Sequence, residues 1–159
     1  MSDVLAMRAL LALLLVLVLT PALADDWRRY DNARFGYSIE VPPGFAVGRE
    51  ADNGDGREFR DGATKLAAWG GTIFEDSFEA AVAAAMASAE GDGWTLTYRS
   101  VTPSWASFSG MQGKRVLYQR MVAGCDGQYA AFRLQYSAAD ITRLDPVVNR
   151  LVRSLKPGC

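Results

Sequence analysis

Phe35-Gly36-Tyr37-Ser38-Ile39-Glu40-Val41-Pro42-Pro43-Gly44 is the stretch on which the fold class turns. Phe35, Tyr37, Ile39 and Val41 alternate with Gly36, Ser38 and Glu40, a period of two with aromatic and β-branched residues on one side. That pattern specifies a strand with one buried face. Pro42-Pro43-Gly44 ends it, because proline cannot donate to a ladder and glycine opens the turn. Phe45 and Val47 are expected core residues beyond that turn. Upstream, Trp27-Arg28-Arg29-Tyr30 leads into the polar turn Asp31-Asn32-Ala33. Downstream, Asn53-Gly54 and Asp55-Gly56 are tight-turn pairs that tolerate positive φ. Arg57 to Arg60 reads as a short strand, Asp61-Gly62 as a hairpin turn and Thr64 to Trp69 as its partner, which Gly70-Gly71 is expected to end.

The period then changes. Asp76 to Glu90 reads as a helix, with Asp76 as cap and Glu79 three residues on in a capping-box spacing. Phe78, Val82, Ala85, Met86 and Ala89 share one face, and Gly91 and Gly93 stop it. Trp94 to Val101 alternates again, placing Trp94, Leu96 and Tyr98 on one side. Trp105 to Ser109 and Lys114 to Val122 read as strands around a turn over Gly110 to Gly113. After Asp126-Gly127, the run Tyr129 to Tyr136 puts Ala130, Phe132, Leu134 and Tyr136 on one face. A last helix is expected with Asp145 as N-cap, Pro146 at the first helical position and Val147, Val148, Leu151, Val152 and Leu155 as its buried stripe. Strands joined by hairpin-sized turns, with two helices, predict an α+β domain built on an antiparallel sheet.

The N-terminal residues belong to a different pattern. Ala9 to Leu19 is an unbroken apolar run, Thr20-Pro21 breaks it, and Ala22-Leu23-Ala24 precedes Asp25-Asp26. This is the layout of a secretory signal peptide over residues 1–24, cleaved between Ala24 and Asp25. The run is about half the ~20 apolar residues a membrane span needs, so no stable membrane insertion is expected after cleavage. Met1 to Met7 carries Asp3 and no basic residue, whereas Met7-Arg8 gives the usual basic start, so Met7 competes with Met1 as initiator. The remainder, residues 25–159, is the length of one domain with a core of its own. The expected localisation is periplasmic or secreted.

Composition narrows the chemistry. Net charge is −1 with acids and bases scattered, which gives no electrostatic footprint for nucleic acid. The chain has no histidine. That removes Ser-His-Asp and Cys-His nucleophiles and His-ligated zinc, copper or iron. Catalysis would have to come from paired carboxylates among Glu40, Glu50, Glu58, Glu75 and Glu79, or from Ser104, Ser107 or Ser109 beside Lys65, Lys114 or Lys156. No motif places such a pair, so the chain is expected not to be an enzyme and to need no cofactor. Cys125 and Cys159 form no Cys-x-x-Cys motif. In an oxidising compartment they are expected to bridge, closing a loop of about 34 residues.

Four segments, YDNARFGYSIEVP (30–42), NGDGREF (53–59), WASFSG (105–110) and LDPVVNRLV (144–152), stand in an order that resembles small secreted bacterial domains of the PsbP-like fold. The resemblance spans nearly all of the chain after the leader. It implies a central antiparallel sheet flanked by helices, an α/β/α sandwich. It also implies a non-catalytic accessory or assembly factor bound to a larger complex.

Two groups of residues are candidate sites. Asp52, Asn53, Asp55, Glu58 and Asp61 could offer oxygen ligands to Ca²⁺. The EF-hand register fails, because placing Gly56 as the loop glycine puts Ala51 and Gly62 where carboxylates are needed. Trp69 and Trp105 lie near strand ends, where a partly exposed aromatic can anchor a partner. The expected function is therefore an exported interaction domain with a protein partner in the cell envelope. A small-ligand or Ca²⁺-binding domain and a carboxylate-based hydrolase are the alternatives.

Overall fold

In the computed structural model the alternating segments form nine strands, and the structure describes residues 26–159. The expected leader, its Ala24/Asp25 cleavage point and the Met1-or-Met7 start lie outside the described residues. The strands are β1 (Arg28–Asp31), β2 (Ser38–Val41), β3 (Ala46–Glu50), β4 (Gly56–Asp61), β5 (Thr64–Thr72), β6 (Thr95–Val101), β7 (Trp105–Gln112), β8 (Arg115–Ala123) and β9 (Gln128–Ser137). Helix α1 (Phe78–Gly91) separates β5 from β6, and helix α2 (Ile141–Ser154) follows β9 through a 3₁₀ turn.

Seven strands make one antiparallel sheet in the order β3-β4-β5-β9-β8-β7-β6, while β1 and β2 pair as a separate ribbon. One layer on the sheet carries α2 and the ribbon. Its core joins Tyr37, Ile39, Phe59, Leu66, Phe132 and Leu151. The other layer carries α1, and its core joins Phe78, Val82, Trp94, Phe108, Leu117 and Met121. This is the expected α/β/α arrangement. The ribbon is tied to α2, to the C-terminal segment and to the β3–β4 turn. Ser38 and Lys156 exchange backbone hydrogen bonds of 3.0 and 2.9 Å. Arg150 grips Glu40 with two hydrogen bonds of 2.7 and 3.2 Å while its guanidinium lies 4.4 Å from the Trp27 ring centre. Buried Asn32 donates to the Gly54 carbonyl at 2.9 Å, joining the β1–β2 and β3–β4 turns.

Several local expectations give way to packing. Gly70-Gly71 does not end β5, which runs on to Thr72. A Cβ at Gly70 would lie 2.5 Å from the Phe35 side chain and one at Gly71 2.6 Å from the Tyr129 ring, so these glycines admit two aromatics instead of breaking the strand. Likewise β7 continues through Gly110 to Gln112. A bulge between Leu96 and Tyr98 turns Tyr98 off the expected face, and it is exposed. Val47 is also exposed, on edge strand β3, whereas Phe45 is buried as expected. The α1 cap is Ser77, whose hydroxyl accepts from the Ala80 N–H at 3.1 Å, and not Asp76. Helix α2 begins at Ile141, so Pro146 lies inside it and Asp145 is not its cap. The extra N-terminal turn buries Leu144 in line with Val148 and Leu151, and that burial outweighs the one hydrogen bond proline omits.

The buried end of the ribbon yields a pH prediction. Burial, reinforced by the adjacent Tyr30, pushes the Tyr37 phenol far above its ordinary value, and burial also raises Tyr136. An unfolded tyrosine ionises near pH ~10. Above that pH the unfolded chain has lost protons that the folded chain keeps, so stability falls as pH rises; below it neither state ionises and the contribution is flat. Melting temperature is therefore expected to decline above pH ~10, and Tyr37→Phe to flatten that decline in a pH series of thermal melts.

Candidate interaction surface

Strand β5 alternates buried and half-buried residues along its length. Leu66, Ala68 and Gly70 point into the α2 layer, and Lys65, Ala67 and Trp69 point the other way. Strand β9 repeats this: Ala130, Phe132, Leu134 and Tyr136 are buried, while Arg133 and Gln135 are only half-buried. The cause is the position of α1, which packs mainly over β6 and β7, with a core that reaches Leu117 and Met121 of β8 and Ala131 of β9. Lys65 and Ala67 of β5 and Arg133 and Gln135 of β9 lie outside the core beneath α1 and stay half-buried, while the Trp69 ring packs against the edge of that core.

Two depressions occupy the open area and share Ala67 and Trp69. The larger, about 430 Å³, is bordered by Arg49, Glu50, Asp52, Asp55, Arg57 and Glu58. The smaller, about 250 Å³, is lined by Lys65, Arg133 and Gln135. Trp69 stands between an end rich in carboxylates and an end rich in cations. Gly56 is its cross-strand partner on β4, and a Cβ there would come 2.8 Å from the Trp69 Cα. At the end of β5 the chain crosses toward α1 through Phe74, which is 91% exposed.

The structure thus brings Asp52, Asp55 and Glu58 to the rim of the Trp69 depression, but it does not gather the five acidic-turn residues. Asp52 is paired with Arg49, Asn53 donates to the Asp55 carboxylate at 2.9 Å, and Glu58 takes both Lys65 and Arg60. Asp61 lies at the other end of β4, opposite Thr64. Among the described residues no three carboxylates or cysteines are grouped so as to hold a metal ion.

Among the candidate catalytic groups, Glu40, Glu50, Glu58 and Ser107 are engaged elsewhere. The hydrogen bond from Lys65 holds the Glu58 carboxyl below the usual range, the opposite of what a general acid requires. Glu50 is held by Arg57 at 2.7 Å and Glu40 by Arg150. Ser107 is buried and accepts from Tyr118 and from Arg120, each at 3.0 Å, with no lysine in contact. Trp105 faces the opposite layer from Trp69, with the Arg120 guanidinium 4.2 Å from its ring centre. The two tryptophans do not share a surface. Cys125 and Cys159 lie at disulfide distance, with Cα atoms 5.4 Å apart.

Arg133 was not singled out by its local pattern. A signal existed: a cation inside an apolar strand, between Phe132 and Leu134, is tolerated on a central strand only where that face has access to water or to a partner.

No known family profile matches the chain, and no curated protein sequence matches it. Among solved structures, the chain is similar to cyanobacterial PsbP (CyanoP) from Synechocystis sp. PCC 6803, with a TM-score of 0.64 and 12% identity over 86% of this chain and 95% of that one. It is also similar to the Ran-binding protein Mog1p of Saccharomyces cerevisiae, with a TM-score of 0.61 and 9% identity over 84% and 96% of the two chains. LpqN of Mycobacterium tuberculosis, described as involved in cell envelope biogenesis, gives a TM-score of 0.49 at 15% identity over 85% and 88%. The chain has a PsbP-like fold.

Proposed function

We propose that the protein is an exported, non-catalytic interaction domain that docks an envelope protein on the open half of its sheet, around Trp69. The observation that carries this reading is the half-buried row Lys65, Ala67, Trp69 and Arg133, lying over a core that is closed on the other side. A partly exposed tryptophan in a shallow depression is the kind of residue that dominates protein interfaces, and Phe74, just beyond the end of β5, is a second exposed aromatic. Export is supported by the leader pattern and by the spacing of Cys125 and Cys159. Non-catalysis is supported by the histidine-free sequence and by the ion pairs that hold Glu40, Glu50 and Glu58, three of the five candidate carboxylates. A Ran-binding protein has the same fold, so the fold is compatible with protein recognition.

Site-specific photocrosslinking tests this. A benzophenone side chain at position 74 or 67, in cells exporting the protein, is expected to give reproducible adducts with one protein or a few. The same group at Thr142, exposed on α2, is expected to give none of them. Adducts equal from both faces, or none from positions 67 and 74, would reject the reading.

A further inference from the structure

We infer that the small depression beside Trp69 receives a carboxylate of the partner, an Asp or Glu side chain, on Arg133, with an apolar side chain of the same extended segment resting on Trp69 and Ala67. The inference rests on the docking reading above and adds the partner's chemistry.

Arg133 is the key. It sits mid-strand on β9 opposite Ala67, and burial pulls its pKa below the ordinary arginine value. Its Nε donates to Gln119 Oε1 at 2.7 Å, which fixes the guanidinium plane. Gln119 is itself 1% exposed, so the anchor is rigid. Among the described residues no carboxylate lies within ion-pair distance of Arg133, and Asp92 acts on it only through space. A desolvated, oriented guanidinium without a counter-charge is a fork preset for a carboxylate.

The surroundings have the same sign. Lys65 and Arg60 share the single carboxylate of Glu58, and Arg115 reaches Gln135 at 3.2 Å. On this part of the face, four cations meet Glu58 and Asp92, on a chain whose net charge is −1. The excess is therefore local, and it favours an acidic partner segment.

The register gives the spacing. Arg133 pairs with Ala67, and Trp69 follows two residues along β5, about 7 Å at the usual strand rise. An extended segment places side chains of one face at that same interval. The recognised pattern is therefore an apolar and an acidic residue separated by one position.

Two capped peptides, acetyl-Thr-Leu-Thr-Glu-Thr-amide and the same peptide with Gln for Glu, titrated into the isotope-labelled protein and followed by NMR, test the inference. The acidic peptide is expected to shift the amides of residues 65–69 and 131–135 and to bind about tenfold more tightly than the neutral one, the usual worth of a charge-assisted hydrogen bond. Arg133→Gln should bring that ratio to one, and Arg133→Lys, which keeps the charge but loses the Nε bond to Gln119, should keep part of it. Thermal melts verify that both variants fold. Trp69→Ala should weaken both peptides equally. Equal binding of the two peptides to the wild type overturns the carboxylate inference, and the docking reading survives if Trp69→Ala still weakens both. Binding of neither peptide, or shifts confined to another face, overturns the inference. If acetate or inorganic phosphate alone shifts the same amides as strongly as the acidic peptide, the pocket takes small anions and the assignment to a protein segment fails.

Discussion

Replacing Cys125 and Cys159 together by serine is expected to lower the unfolding free energy by about 3–4 kcal/mol, against the ~5–15 kcal/mol typical of a whole domain. Most of that loss lies in the unfolded state. A bond across a sequence separation of 34 residues removes the loop-closure freedom of β9, α2 and the C-terminal segment. The native state contributes as well. Gly158 lies so close to the β1–β2 connection that a Cβ on it would come 2.1 Å from the Phe35 carbonyl oxygen, and Lys156 pairs with Ser38. A tether from Cys159 to the β8–β9 turn holds this contact, and with it the ribbon, against the sheet. Chaotrope melts with and without reductant provide the measurement. Reductant should destabilise the wild type by the same amount and leave the double variant unchanged. Titration of unfolded, unreduced protein should find no free thiol; two titratable thiols would show that the pair is open.

Phe132→Ala is expected to cost about 3–5 kcal/mol, the range for an aromatic removed from a closed core. Phe132 is fully buried in β9, with β5 on one side and β8 on the other. Its ring lies nearly parallel to that of Tyr118, centroids 6.1 Å apart. The strands on both sides are anchored by their own ladders, so the space cannot close by collapse and the cavity term adds to the lost transfer energy. Phe132→Leu, which keeps most of the volume, should lose much less. Phe108→Ala makes the same hole in the α1 layer, where Phe108 is equally buried. A loss below ~1 kcal/mol at Phe132, as for an exposed site, would mean that the α2 layer is loosely packed.

The strand pattern was legible because it is local. Tyr37, Ile39 and Val41 are buried as their alternation requires, and so are Ala130, Phe132, Leu134 and Tyr136. The α1 stripe of Phe78, Val82 and Ala89 was equally readable. Failures came where a distant partner reset the local rule. Gly70-Gly71 reads as a stop until Phe35 and Tyr129 occupy the space above it. Pro146 reads as a helix start until Leu144 is buried one turn earlier. Tyr98 reads as core until a bulge turns it outward. The candidate site is legible in part: Trp69, Asp52, Asp55 and Glu58 stand out in the sequence and border the larger depression, while Asn53, Asp61 and Trp105 stand out there and do not. Arg133 is not among the residues the sequence singles out, and Lys65 stands out there only as a candidate catalytic partner of a serine, because each looks like a solvated charge when its strand is read alone.

The amino-acid sequence by itself determined the element types, the α+β class, the exclusion of histidine chemistry and the pairing open to two cysteines. Each depends on composition or on a period of two or 3.6 residues, which neighbouring positions carry. Only the tertiary structure decided which part of the sheet lies open. β5 meets β9 some 65 residues further along the chain, about two-fifths of its length, and α1 packs mainly over β6 and β7 instead. A period shows that a strand has two faces. What rests on each face depends on side chains far away in sequence, and that long-range packing leaves Trp69 and Arg133 at the surface together.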